Sequence, residues 1–159
     1  MANDGGLIAT LEQWFADQLA ALTSSGELVF KKADVWKHQV AATSGGLEAF
    51  DEYSPFAFVS YQSDDSVREG GNDLRQILEF AIIIGVTHKH SGVARTGSSN
   101  KLGTSKIRDL VIALFDHQHP GDGFACDDIY YTGSIEAIDS PKRHAIEMRF
   151  ETSKITPPA

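Results

Sequence analysis

Between residues 7 and 22 the apolar side chains Leu7, Leu11, Trp14, Phe15, Leu19 and Leu22 recur at three- and four-residue steps. That spacing predicts an amphipathic helix with Glu12, Gln13 and Asp17 on its wet side. "TSSG" ends it, with Gly26 suited to a left-handed turn. A strand-like stretch follows in "ELVFKKADVWKHQ", interrupted at Lys31 to Asp34, and "VAATSGGLEAFDEYS" reads as a loop. Pro55 then opens "PFAFVSYQ", whose aromatic and β-branched content predicts a strand; proline is tolerated at a strand's first residue. After the charged turn "SDDSVREGGND" comes the strongest alternation in the chain, in a strand from Leu74 to His88. Leu78, Phe80, Ile82, Ile84 and Val86 share one parity, while Ile77, Ala81 and Ile83 on the other predict that its middle is covered on both faces.

A second helix is predicted from Thr104 to His117, with Ile107, Leu110, Val111, Leu114 and Phe115 as its apolar stripe and Thr104 or Ser105 as N-cap. "HPGDG" stops it. Two strands close the pattern: "CDDIYYTGSIEAI", then "KRHAIEMRFET", where His144, Ile146, Met148 and Phe150 alternate with Arg143, Glu147, Arg149 and Glu151. Residues 152–159 are expected to be a flexible tail. The order of elements predicts one α+β domain over residues 1–159, a mostly antiparallel β-sheet with two principal helices packed on one face. Its longest stretch with little to bury is Ser91 to Gly103; loops of that length in compact domains are commonly functional.

Composition narrows the function classes. With 159 residues, 42% hydrophobic and 23% charged, the chain fits a single globular core. The apolar run "FAIIIGV" is far shorter than the roughly 20 residues of a membrane span. "MANDGGL" carries no signal or transit pattern, so residence in the cytoplasm is expected. A formal charge of −8 without clustered Lys and Arg argues against a general DNA-binding surface. The single cysteine, Cys126, can form no internal disulfide and reads as a buried strand residue. Trp14, Phe15, Phe56, Phe58 and Tyr61 are expected in the core, with Trp36 and Phe50 placed either there or in a subunit contact.

Two histidine pairs raise the question of metal. His88 and His90 fall two apart at the end of the dominant strand, where a period of two puts both imidazoles on one face. The same positions continue the parity of Ile84 and Val86, which marks a buried strand emerging into solvent. His117 and His119 sit at the predicted C-terminus of the second helix, where the helix dipole favours a cation and capping accounts for His117. "DHQHPGDGFACDD" has neither EF-hand spacing nor the His-Glu-x-x-His of a zincin. P-loop and nucleophile-elbow patterns are absent as well.

The helix "LIATLEQWFADQLAAL", the strands "PFAFVSYQ" and "LRQILEFAIIIGV", the loop "GVARTG", the helix "KLGTSKIRDLVIALF" and the closing "RHAIEMRF" together resemble the Mu-like phage tail-terminator, or tail-completion, family. The positions carrying the resemblance are Pro55, Val59, Phe80, Arg95, Gly97, Leu110 and Leu114. It implies a small α+β virion protein without enzymatic activity, cofactor or metal. Copies would assemble as a ring, usually a hexamer, on the last ring of the tail tube, stopping tube growth and joining tail to head. The implied partners are further copies of the chain, the tail-tube protein, and sheath and neck or connector proteins. Genomic DNA would pass through the ring without specific binding, and no membrane is involved. The implied location is the head-proximal end of the tail, after assembly in the host cytoplasm. On this reading the loop with Arg95, Lys101 and Lys106 contacts a neighbouring subunit or the tail tube and orders on assembly. Two alternatives stand beside it: a neck or head-completion connector of the same virion, and a small metal-dependent enzyme using His88 and His90.

Overall fold

In the computed structural model, residues 4–37, 46–69, 73–90, 92–99 and 101–156 are described. Helix α1 (Asp4–Ala21) buries Leu11, Phe15, Ala16 and Leu19 along one stripe. It gives way to a minimal hairpin, β1 (Thr23–Ser24) and β2 (Glu27–Leu28), turned through Ser25 and Gly26, both at positive φ. Two-residue hairpins favour that conformation because its twist matches the strands. Strand β3 (Lys32–Val35) follows, then helix α2 (Gly46–Tyr53) and the long antiparallel pair β4 (Phe56–Glu69) and β5 (Asp73–Thr87). A single turn α3 (Val93–Thr96), helix α4 (Thr104–Phe115) and strands β6 (Tyr130–Asp139) and β7 (Arg143–Thr156) complete the fold.

The main sheet has the order β3-β4-β5-β7-β6, and every neighbouring pair except β3–β4 is antiparallel. The fold is therefore α+β, with β5 and β7 at its centre. The parity of β5 decides the two faces. Leu78, Phe80, Ile82, Ile84 and Val86 join Ile146, Met148 and Phe150 of β7 under α1 and α4, where Phe15 stacks edge-on with Phe115 at 4.8 Å between centroids. Aromatic pairs in that geometry add stability beyond their burial. The opposite face carries a smaller cluster of Phe50, Phe56, Phe58 and Ala145, with Trp36 and Tyr53 packed against it. No helix among the described residues is long and apolar enough to cross a membrane.

Several expectations are corrected. The stretch read as a loop contains α2, whose Phe50 is 2% exposed and meets Phe56 edge-on at 4.8 Å. A helix this short, preceded by glycines, has almost no periodicity to read; the partner of Phe50 lies on β4. Residues 38–45 of the stretches read as strand and loop lie outside the described residues. The interruption expected at Lys31 to Asp34 is instead where β3 pairs, and the break precedes it. The charged turn is shorter than expected, since β4 runs on to Glu69 past a bulge between Tyr61 and Ser63; residues 70–72 lie outside the described residues. Residues 152–156, expected as tail, continue β7 with Thr152, Ser153 and Lys154 buried, while 157–159 lie outside the described residues. Cys126 is half-buried in the segment before β6, not in a strand.

Candidate functional site

Beside β6 the chain folds back on itself through two glycines. A Cβ on Gly103 would lie 2.4 Å from both the Arg95 carbonyl oxygen and the Gly97 nitrogen, so α3 abuts the start of α4 at a distance only glycine permits. Gly97, at φ 80°, makes the return possible. Ala94 is buried in the main core. The described part of the segment expected to be polar and unpacked is thus folded: α3 is anchored, and Ser98 bridges to Lys101. Residues 91 and 100 lie outside the described residues.

This anchoring aims Arg95 at β6. Its guanidinium pairs with Glu136 and reaches Asp139 at 3.3 Å. Glu136 and Asp139 are three apart, a spacing that puts side chains on opposite faces of a regular strand. A bulge between Glu136 and Ile138 changes the count and brings both carboxylates to the same cation. Behind them His144 of β7 is 3% exposed. Its Nε2 lies 3.2 Å from Glu136 Oε1, and its Nδ1 is hydrogen-bonded to the Thr104 hydroxyl at the start of α4. A carboxylate only accepts, so Nε2 carries a proton here, and the Thr104 hydroxyl engages Nδ1 from the other side. The hydrogen bond from His144 and then the Arg95 guanidinium hold the Glu136 carboxyl below its ordinary range. A pocket of about 350 Å³ opens beside Arg95, Thr104, Glu136 and His144, bordered also by Ser105, Arg108 and Ser134.

Thr104, His144 and Glu136 follow the order of a nucleophile, base and orienting acid. Thr104 is buried, however, and its hydroxyl is taken up by His144 rather than presented to solvent. What the chain of hydrogen bonds does is fix the imidazole and tie α4 to β7. Thr104 is accordingly not the helix cap expected from sequence: the N-cap is Gly103, with no side-chain cap.

The other flagged residues are dispersed. β5 ends at Thr87, so His88 and His90 leave the sheet rather than extend its parity. The His90 N–H donates to His88 Nδ1 at 3.1 Å, so that nitrogen is engaged by the backbone of the loop. Among the described residues the three-donor group with ligand atoms within 4.8 Å of one another is Glu136, Asp139 and His144, not the sequence-flagged pair. His117 adopts φ 61° just after α4, donates its N–H to Ile129 and places Nδ1 3.0 Å from Asp116. His119 accepts the Gly121 N–H at Nδ1 and donates Nε2–H to the Cys126 carbonyl at 2.8 Å, so both its nitrogens hold the loop. Lys101 and Lys106 are exposed, the second in the first turn of α4.

No family model matches the chain, and no curated protein matches it.

Proposed function

We propose that this protein is a structural subunit that forms a ring on the end of a phage tail tube, ends tail growth and presents the surface that joins tail to head. The motif resemblance supports that reading, and one structural observation carries it further. On the far half of the sheet, Val67, Arg75 and Ile155 are directly opposite one another on β4, β5 and β7, so they share a face with Ile77 and, two rows along, Tyr130. Val67, Tyr130 and Ile155 are 49%, 41% and 54% exposed there. Helix α2 covers only the other end of this face, around Gly85. Clustered exposed apolar side chains with an arginine among them suit a subunit contact, where such residues concentrate.

A ring closes through two different surfaces on each copy. The second surface is assigned to the region of Lys101 and Lys106, which keeps those lysines in the contact role; Arg95 is engaged by Glu136 and Asp139 of its own chain. Mass measurement of the purified chain, alone and mixed with tail-tube protein, tests the reading. Rings of defined stoichiometry are expected in at least one condition. Val67→Asp with Ile155→Asp should leave the fold intact and abolish them. Rings unchanged in that variant, or a wild-type chain that stays monomeric with tube protein present, would overturn the proposal.

A further inference from the structure

We infer that Glu136, Asp139 and His144 form a binding site for a divalent transition-metal cation of the zinc class, and that Arg95 occupies it as a tethered, displaceable cation. The donor set is one imidazole nitrogen and two carboxylates, a combination suited to zinc with a fourth position left open. The three ligand atoms lie within 4.8 Å of one another, and His144 Nε2 and Glu136 Oε1 are already 3.2 Å apart. Tetrahedral zinc bonds of about 2.0–2.1 Å separate neighbouring ligands by about 3.3 Å, so the His144–Glu136 pair already has that spacing and Asp139 closes on it as Arg95 leaves.

Three further features belong to such a site. The imidazole is oriented from behind by Thr104, as the second nitrogen of a metal-ligating histidine regularly is. A hydroxyl can both donate and accept, so Thr104 can hold Nδ1 whether or not that nitrogen carries a proton, which leaves Nε2 free to turn to a metal. The β6 bulge is what makes both carboxylates converge. The pocket above, bordered by Ser105 and Ser134, leaves room for the open coordination position. Arg95 is 45% exposed and on a single helical turn, so its guanidinium can leave without uncovering the core. Lone acidic pairs do not have this arrangement, in which a buried nitrogen donor forms the floor.

Calorimetric titration with Zn²⁺ in chelator-free buffer at pH 7.5 tests the inference. One zinc ion per chain is expected. Arg95→Ala removes the competing cation and should bind at least about tenfold more tightly, whereas Glu136→Gln with Asp139→Asn should lose at least about tenfold. Both variants change exposed side chains, and a thermal melt verifies that they fold even if His144→Ala does not. His88→Ala with His90→Ala should bind as wild type does. Arg95→Ala binding no more tightly than wild type, retention of affinity in the carboxylate double variant, or loss of binding in the His88/His90 variant would each overturn the site.

Discussion

At the scale of single residues, two glycines carry the tightest constraints. A Cβ on Gly85 would lie 2.2 Å from Cζ of Phe56 and 2.9 Å from Cζ of Phe50, and both rings are buried. Gly85→Ala is expected to cost about 1–3 kcal/mol in urea unfolding, through overpacking of the smaller cluster. Gly103→Ala meets backbone rather than a ring, so relief requires α3 to move away from α4. It should destabilise the fold by a similar amount and loosen the Arg95 pairing. His144 shows what was legible at this scale. Its position on the parity of Ile146, Met148 and Phe150 gave away its burial. Its partners did not show, because Thr104 is forty residues away in sequence, the register that sets Glu136 beside it is not written in either strand alone, and Asp139 joins that face only through a bulge that no alternation pattern marks.

Among elements, α2 is latched as well as packed. Arg143 donates Nε to Asp51 Oδ1 at 2.8 Å and a terminal nitrogen to Oδ2 at 2.6 Å, a two-bond clasp from β7 to the helix. That hydrogen bonding, opposed by partial burial, lowers the Asp51 pKa from its ordinary 3.8. A carboxyl depressed in the folded state contributes stability that is present above 3.8 and is lost as pH falls through the lower folded value. Both partners are partly exposed, so Asp51→Asn should cost only about 0.5–1 kcal/mol at neutral pH. The difference between variant and wild type should shrink in acid, as chemical unfolding at pH 7 and pH 3 would show. Truncation after Glu151 is a sharper test. It removes the Thr152 hydroxyl bond to the Asp127 carbonyl, the Ser153 hydroxyl bond to the Asp127 carboxylate and the Asp127 N–H bond to Ser153. A loss on the order of 2–3 kcal/mol is expected, where a free tail would lose nothing. Elements with a long apolar period, α1, α4 and β5, were readable from sequence because burial repeats along them. α2 and the ends of β4 and β7 were not, since polar residues there are held by neighbours from distant parts of the chain.

For the molecule as a whole, the sheet order has a consequence for how the chain reaches its folded state. β4 and β5 are hairpin neighbours and can pair as soon as both exist. β5 finds its other partner, β7, only after α3, α4 and β6 have been made, and β6 has no partner strand in the main sheet until β7 arrives. During synthesis the open edge of β5 therefore stays unpaired while residues 88–142 emerge. Central strands that pair over long sequence separations slow folding and prolong the interval in which an edge can recruit a wrong partner. A chain ending before Arg143 is expected to aggregate rather than fold. In the full chain the slow refolding phase should report β7 docking, with Met148→Ala slowing it more than a substitution on the β1–β2 hairpin.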